Sequence, residues 1–122
     1  MFELSIETEF CAAHAIVIAG EREPLHGHNW RLTVTVGGAE LDGDGLLVDF
    51  HALERLVGGV VAPMHNRTLN DVAPFDRVNP TAEELARHIY RRVDEGLPDG
   101  VAVIAVRVTE APGCAAVYRN RP

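Results

Sequence analysis

Lysine is absent from this chain of 122 residues: all 11 of its cationic side chains are arginine. Beside abundant Ala, Val and Gly, that absence reads as a high-GC coding bias rather than as chemistry. Against 18 acids the arginines leave a formal charge of −7. No Arg cluster offers a phosphate track, which argues against nucleic acid as a partner. Long apolar runs are missing too, and none approaches the roughly 20 residues that span a bilayer. The opening MFELSIETEF carries acid where a signal peptide needs base. No membrane partner is expected, and the expected compartment is the cytoplasm. Two cysteines, Cys11 and Cys114, make no disulfide framework and are expected to be reduced there. What is present is ordinary: 47% hydrophobic residues and a mean hydropathy near zero. That composition and length suit one globular domain over residues 1–122.

Hydrophobic periodicity divides the chain. Phe2, Leu4, Ile6 and Phe10 alternate with Glu3, Ser5, Glu7 and Glu9, the pattern of a half-buried strand. The same parity carries Ala12 and His14 to the buried face and Cys11 to the acidic one. AGEREP reads as a loop. A second strand begins near His28 or His26, with Trp30, Leu32, Val34 and Val36 on one face. LLVDF reads as a short extended piece. A helix follows from about Phe50, with Leu53, Leu56, Val57, Val60 and Val61 at helical spacing. Residues 62–80 form a long polar, Pro-containing connection. Thr81 and Glu84 make a capping box that opens a second helix through about Glu95. VAVIAVRVTE is a strand whose Ile104, Val106 and Val108 share a face with Glu110, and CAAVYR is the last strand. The order predicts an α+β domain, a four-stranded antiparallel sheet with two helices between its strand pairs. Open sheet edges make an oligomer a reasonable expectation.

Three of the six histidines fall on strand faces expected to be apolar, each at a strand end: His14, His26 and His28. A single buried imidazole is more often a hydrogen-bonded core residue than a ligand. Two at i and i+2 on one strand share a face, and one core rarely has partners for all their nitrogens. With a third on the neighbouring strand, the pattern points to metal. Three neutral nitrogen ligands leave a tetrahedral position open, the catalytic zinc arrangement. Cys11 would close the site as a structural fourth ligand, but parity points it away. Glu110 ends an apolar strand face, where a carboxylate is costly unless it is paired, ligand-bound or already in solvent. Glu23 lies three residues before His26. His51 and His88 read as surface residues.

These segments resemble the 6-pyruvoyltetrahydropterin synthase family, which includes the 6-carboxytetrahydropterin synthases of queuosine biosynthesis. FCAAHA is similar to its first motif, LHGHNW to its HGH signature, and GLLVDF, NPTAEELA and VRVTEAPGCAAVY to its later segments. The resemblance implies a T-fold (tunnelling) domain, three subunits closing into a β-barrel, and two trimers stacking into a homohexamer. It implies Zn2+ on His14, His26 and His28, and a dihydropterin substrate held by Thr109 and Glu110. The usual substrate is 7,8-dihydroneopterin triphosphate.

The sequence departs from the family pattern at two places. The loop cysteine expected four or six residues before the HGH is Arg22 or Gly20 here. A subgroup associated with folate synthesis carries glutamate three residues before the HGH instead, as Glu23 does. The family's Asp-His pair aligns with His65 and Asn66 of MHNRTLN. Glu23 and His65 are therefore the candidate catalytic residues. The expected reaction is zinc-dependent lyase chemistry giving 6-hydroxymethyl-7,8-dihydropterin. Alternatives are 6-carboxy-5,6,7,8-tetrahydropterin synthesis and a non-catalytic pterin-binding homologue.

Overall fold

A computed structural model describes residues 1–120. In chain order the elements are β1 (Phe2–His14), β2 (Val17–Ile18), β3 (Glu21–Arg22) and β4 (His26–Gly38). Then come α1 (Phe50–Val61), β5 (Arg67–Thr68), α2 (Ala82–Glu95), β6 (Ala102–Ala111) and β7 (Cys114–Tyr118). One sheet runs β5-β1-β4-β6-β7, and β2-β3 form a separate hairpin. The four long strands pair antiparallel as the alternation requires. The expected four-stranded sheet gains a fifth member, because Arg67 and Thr68 add in parallel to Ala12 and Ala13.

One face of the sheet is covered. Phe10, Trp30, Leu32, Val34, Val36, Val106 and Val108 are buried with Leu53 and Val57 of α1 and Leu85, Ile89 and Val93 of α2. Each of these large side chains is worth about 1.5–3 kcal/mol in burial. Phe2, at the strand's start, is 46% exposed and lies outside that core.

Both helices start on side-chain caps. The Asp49 carboxylate accepts the His51 N–H, and Thr81 Oγ1 accepts the Glu84 N–H. The predicted capping box is half realised, since Glu84 reaches forward to Arg87 and the Thr81 N–H goes to the Asn79 carbonyl. Gly58 and Gly59 do not end α1, which continues to Val61.

Three local expectations are corrected. LLVDF is not extended. The Asp42 carboxylate accepts the Asp44 and Leu46 N–H groups, and the Asp42 N–H bonds the Leu46 carbonyl, curling the backbone. The loop AGEREP contains the turn and second strand of the β2–β3 hairpin. Ala19 (φ 53°) and Gly20 (φ 83°) form its two-residue turn, and both positive angles match the type I′ twist. Ile104 does not align with Val106 and Val108. The register slips between Thr35–Ala105 and Val36–Val103, so Ile104 is the extra residue of a β-bulge. α2 fixes this bulge: the Asp94 carboxylate accepts the Val103 N–H, and the Tyr90 hydroxyl donates to the Val103 carbonyl.

Candidate metal and substrate site

The β1–β4 register places His14 directly opposite His26, and Ala12 opposite His28. All three imidazoles therefore meet at one end of the strand pair. Their ring centroids are 4.7–5.1 Å apart. One nitrogen from each ring falls within a group whose members all lie within 4.8 Å. Trp30 backs the cluster, edge-on to His14 and His28, and its indole N–H donates to the Ala12 carbonyl.

The hydrogen bonds settle which nitrogens face inward. His14 Nδ1 lies 2.8 Å from the Pro80 carbonyl, and His26 Nδ1 lies 2.9 Å from the Pro24 carbonyl. A carbonyl only accepts, so in both rings Nδ1 carries the proton. In neutral rings Nε2 then offers a lone pair, the outer-shell arrangement of metal-ligating histidine. The Nε2 atoms of His14 and His28 are buried without a hydrogen-bond partner among the described residues. Such orphaned, convergent nitrogens fit a metal ion with imidazole ligands. Burial, and secondarily the neighbouring His14 and His26, lower the His28 pKa against the opposing pull of Glu110 and Glu23. That favours the neutral, ligating form.

Two carboxylates flank the triad. Glu110 Oε1 is 3.3 Å from His14 Nε2 and 3.7 Å from His28 Nε2. A second bulge brings it there, since the β6–β7 register slips between Thr109–Ala115 and Ala111–Cys114. Glu23 Oε1 is 3.7 Å from His26 Nε2 and accepts the Ile16 N–H at 3.1 Å. Thr109 and Glu110 line, with His28, Gly27 and Arg31, a cavity of about 480 Å³. That lies within the roughly 300–1,000 Å³ of small-molecule clefts.

Other candidates are held elsewhere. The Cys11 thiol donates to Asn29 Oδ1 on the helix-free face and does not join the ligand group. His65 Nδ1 accepts the Cys11 N–H at 3.2 Å, and the Asn66 N–H donates to the Cys11 carbonyl. His65 thus lies along the outer edge of β1, and a single chain does not bring it to the triad. His88 is half-buried against Phe75 (centroids 5.3 Å apart) rather than on the open surface.

Sequence reasoning missed Asn70 and Asn79. Their amides bond both backbone groups of Ala15 and of Val17. Each lies in the polar connection, where asparagine carries no pattern that separates a brace from a solvated loop residue.

The chain is similar to the 6-carboxy-5,6,7,8-tetrahydropterin synthase of Bacillus subtilis, with 37% identity covering 98% of this chain and 86% of that protein. It is 41% identical to the dihydroneopterin monophosphate aldolase of Pyrococcus furiosus, over 75% of each chain. In three dimensions it matches the Caenorhabditis elegans 6-pyruvoyl tetrahydropterin synthase at a TM-score of 0.84 and 20% identity, covering 98% and 95% of the two chains. The family model described as 6-pyruvoyl tetrahydropterin synthase matches residues 3–121. With nearly every residue inside that match, the chain belongs to the 6-pyruvoyl tetrahydropterin synthase family.

Proposed function

We propose that this protein is a zinc-dependent lyase that cleaves the side chain of a 7,8-dihydroneopterin phosphate to leave 6-hydroxymethyl-7,8-dihydropterin. The observation that carries this reading is the Glu23 carboxylate, 3.7 Å from a triad imidazole, in a loop that offers no cysteine. The dihydroneopterin monophosphate aldolase relative supports the same reaction class.

His14, His26 and His28 would hold the zinc through Nε2. When bound, the ion would supply Lewis-acid charge that favours a developing anionic oxygen nearby. Glu110 accepts adjacent N–H donors of the pterin pyrimidine edge, a bidentate charge-assisted contact. Thr109 lines the same pocket beside it. Glu23 takes the proton from the hydroxyl on the second side-chain carbon. The bond between the first and second carbons then breaks. The second carbon leaves as an aldehyde, and its bonding pair passes into the electron-poor dihydropterin ring. A proton returned to the first carbon completes the hydroxymethyl group.

His65 would take part through a neighbouring copy. It lies at the His14 end of the outer edge of β1, which its own segment and β5 cover. Beside it is the open remainder of that edge, along which the sheet of a second chain would pair. That edge and the outer edge of β7 support assembly into a barrel of three subunits and a hexamer of two trimers.

A second reading is 6-carboxy-5,6,7,8-tetrahydropterin synthesis, favoured by the Bacillus relative, which aligns with 98% of this chain. Incubating the zinc-loaded protein with dihydroneopterin mono- and triphosphate, followed by mass spectrometry, separates the readings. Hydroxymethyl-dihydropterin with a two-carbon aldehyde phosphate supports the first. The carboxylated pterin replaces it with the second. Tight binding with no product over many hours leaves a non-catalytic pterin-binding homologue.

A further inference from the structure

Between His14 and Glu23 the β2–β3 hairpin pairs only with itself, and side chains bind the backbone that leads into it. Asn70 Oδ1 accepts the Ala15 N–H at 2.9 Å, and its Nδ2 donates to the Ala15 carbonyl at 2.8 Å. Asn79 holds Val17 in the same two-point manner, at 2.9 Å for each bond. Between them, the Ile16 N–H goes to Glu23 Oε1 at 3.1 Å, and the Ile16 carbonyl accepts the Glu23 N–H at 3.0 Å. Glu23 is therefore fixed at backbone and carboxylate by one residue. That residue is flanked by two that asparagine amides clamp.

Asn79 has a further connection. Its neighbour Pro80 is the residue whose carbonyl takes the His14 Nδ1 proton, and Thr81 then caps α2. One dipeptide at the start of a packed helix thus reaches two parts of the site. Pro80 orients the ligand His14, and Asn79 grips the β2–β3 hairpin that presents Glu23. Val17 pairs with Arg22, the residue before Glu23, so a shift at Val17 is carried to the carboxylate. Asparagine suits this position because one planar amide supplies an acceptor and a donor, matching the two backbone groups of Val17. Aspartate would set an anion against the Val17 carbonyl, and alanine would leave both groups unpaired.

We infer that Asn79 is a positioning residue that sets the placement of the Glu23 carboxylate relative to the His14 ligand, acting through Val17. This rests on Glu23 being the proton acceptor of the proposed reaction. Asn70 is the natural control, because it makes the same number of bonds to Ala15, beside His14, and its side-chain amide bonds Ala15 rather than a residue of β2 or β3.

The test compares Asn79→Ala with Asn70→Ala in the full chain, zinc-loaded, using dihydroneopterin monophosphate as substrate. Asn79→Ala should lower kcat by roughly ten- to a hundredfold, the scale of a small misplacement of a reacting group. Its KM and zinc affinity, measured by chelator competition, should stay within about threefold, since Glu110 and the triad remain in place. Asn70→Ala should instead weaken zinc and spare kcat at saturating metal. If the two variants lower kcat alike and in step with their urea midpoints, the role is merely structural and the inference fails.

Hydrogen exchange provides a readout independent of turnover. The Ile16 and Glu23 amides should exchange at least about tenfold faster in Asn79→Ala while the β4 amides keep wild-type protection. Unchanged exchange at Ile16 and Glu23 overturns the inference even if the wild-type protein turns over no pterin. Turnover failure with faster exchange there would sink only the proposed reaction. Should Asn79→Ala fail to fold, Asn79→Asp, which keeps one acceptor, carries the same measurements.

Discussion

The Glu110 carboxylate approaches His14 Nε2 to 3.3 Å, although the Nδ1 proton of that ring is already given to Pro80. A neutral imidazole nitrogen and a carboxylate oxygen are both acceptors. The contact therefore calls for a proton or a cation shared between them, which is why the geometry suits a charged occupant. It also leaves two roles open to Glu110, pterin acceptor or further metal ligand, and these separate on one substitution. Glu110→Gln should keep its zinc and bind pterin about 10–100-fold more weakly, because one acceptor becomes a donor facing a donor. Zinc content and calorimetric titration with a pterin check this. Lost zinc with unaltered pterin affinity would make Glu110 a ligand.

For the triad itself, about one zinc per chain is expected. His28→Ala should weaken it by more than the roughly 10–100-fold typical of losing an outer-shell partner. The pocket side of His28 offers Glu110 as the nearest other donor, so a residual, weaker site is the most that should survive. Cys11→Ser should leave zinc untouched, because the thiol is turned to Asn29 on the other face of the sheet. Metal analysis after dialysis against a chelator decides both, and full zinc in His28→Ala refutes the triad.

The site was legible in the sequence where strand parity governs it. His14, Ala12 and Phe10 share a face, His26, His28 and Trp30 share another strand's inward face, and Glu110 follows Val106 and Val108. The period of two placed all four side chains on the covered side before any pairing was known. Parity cannot supply the register that sets His14 opposite His26, nor the bulge that delivers Glu110. It also failed at Ile104, because VAVIAV is apolar on both faces of the strand and a one-residue slip within it leaves no polar trace. The β2–β3 hairpin was invisible for a different reason. Its turn is Ala19-Gly20, without the asparagine that usually announces two left-handed residues.

His88 gives a pH dependence of known sign. Burial, and next the nearby Arg92, lower its pKa below the ordinary 6.5, against a smaller opposing pull from Glu95. As pH falls, the unfolded chain therefore takes up this proton before the folded one does. The stability that the neutral imidazole contributes is complete above the unfolded value near 6.5. It is lost as pH drops from there through the lowered folded value. Urea unfolding from pH 8 to pH 5 should show wild type losing more stability than His88→Gln over that window. Comparing the two cancels the contribution of His28, which both proteins share. Parallel curves would mean that the imidazole titrates alike in both states.

Glu23→Gln separates chemistry from scaffolding at the centre of the proposed reaction. The wild-type carboxylate does two things: its Oε1 accepts the Ile16 N–H and also lies 3.7 Å from His26 Nε2, and as an anion it has further lone pairs with which to take a proton. Glutamine keeps an amide oxygen for Ile16, so the hairpin and its Asn79 clamp should hold and the urea midpoint should move little. Glutamine has no basicity near neutral pH, so proton removal from the substrate hydroxyl is lost. Zinc content should match wild type, because Glu23 lies outside the three-histidine ligand group. KM should change modestly, as Glu110, the proposed pterin acceptor, is intact. The rate should fall by about 10²–10⁴-fold, the usual contribution of a positioned base. Steady-state turnover of dihydroneopterin monophosphate, followed by mass spectrometry of the product, checks the set. Full activity in Glu23→Gln would transfer the base role to another group, with His65 from a neighbouring copy the first to test.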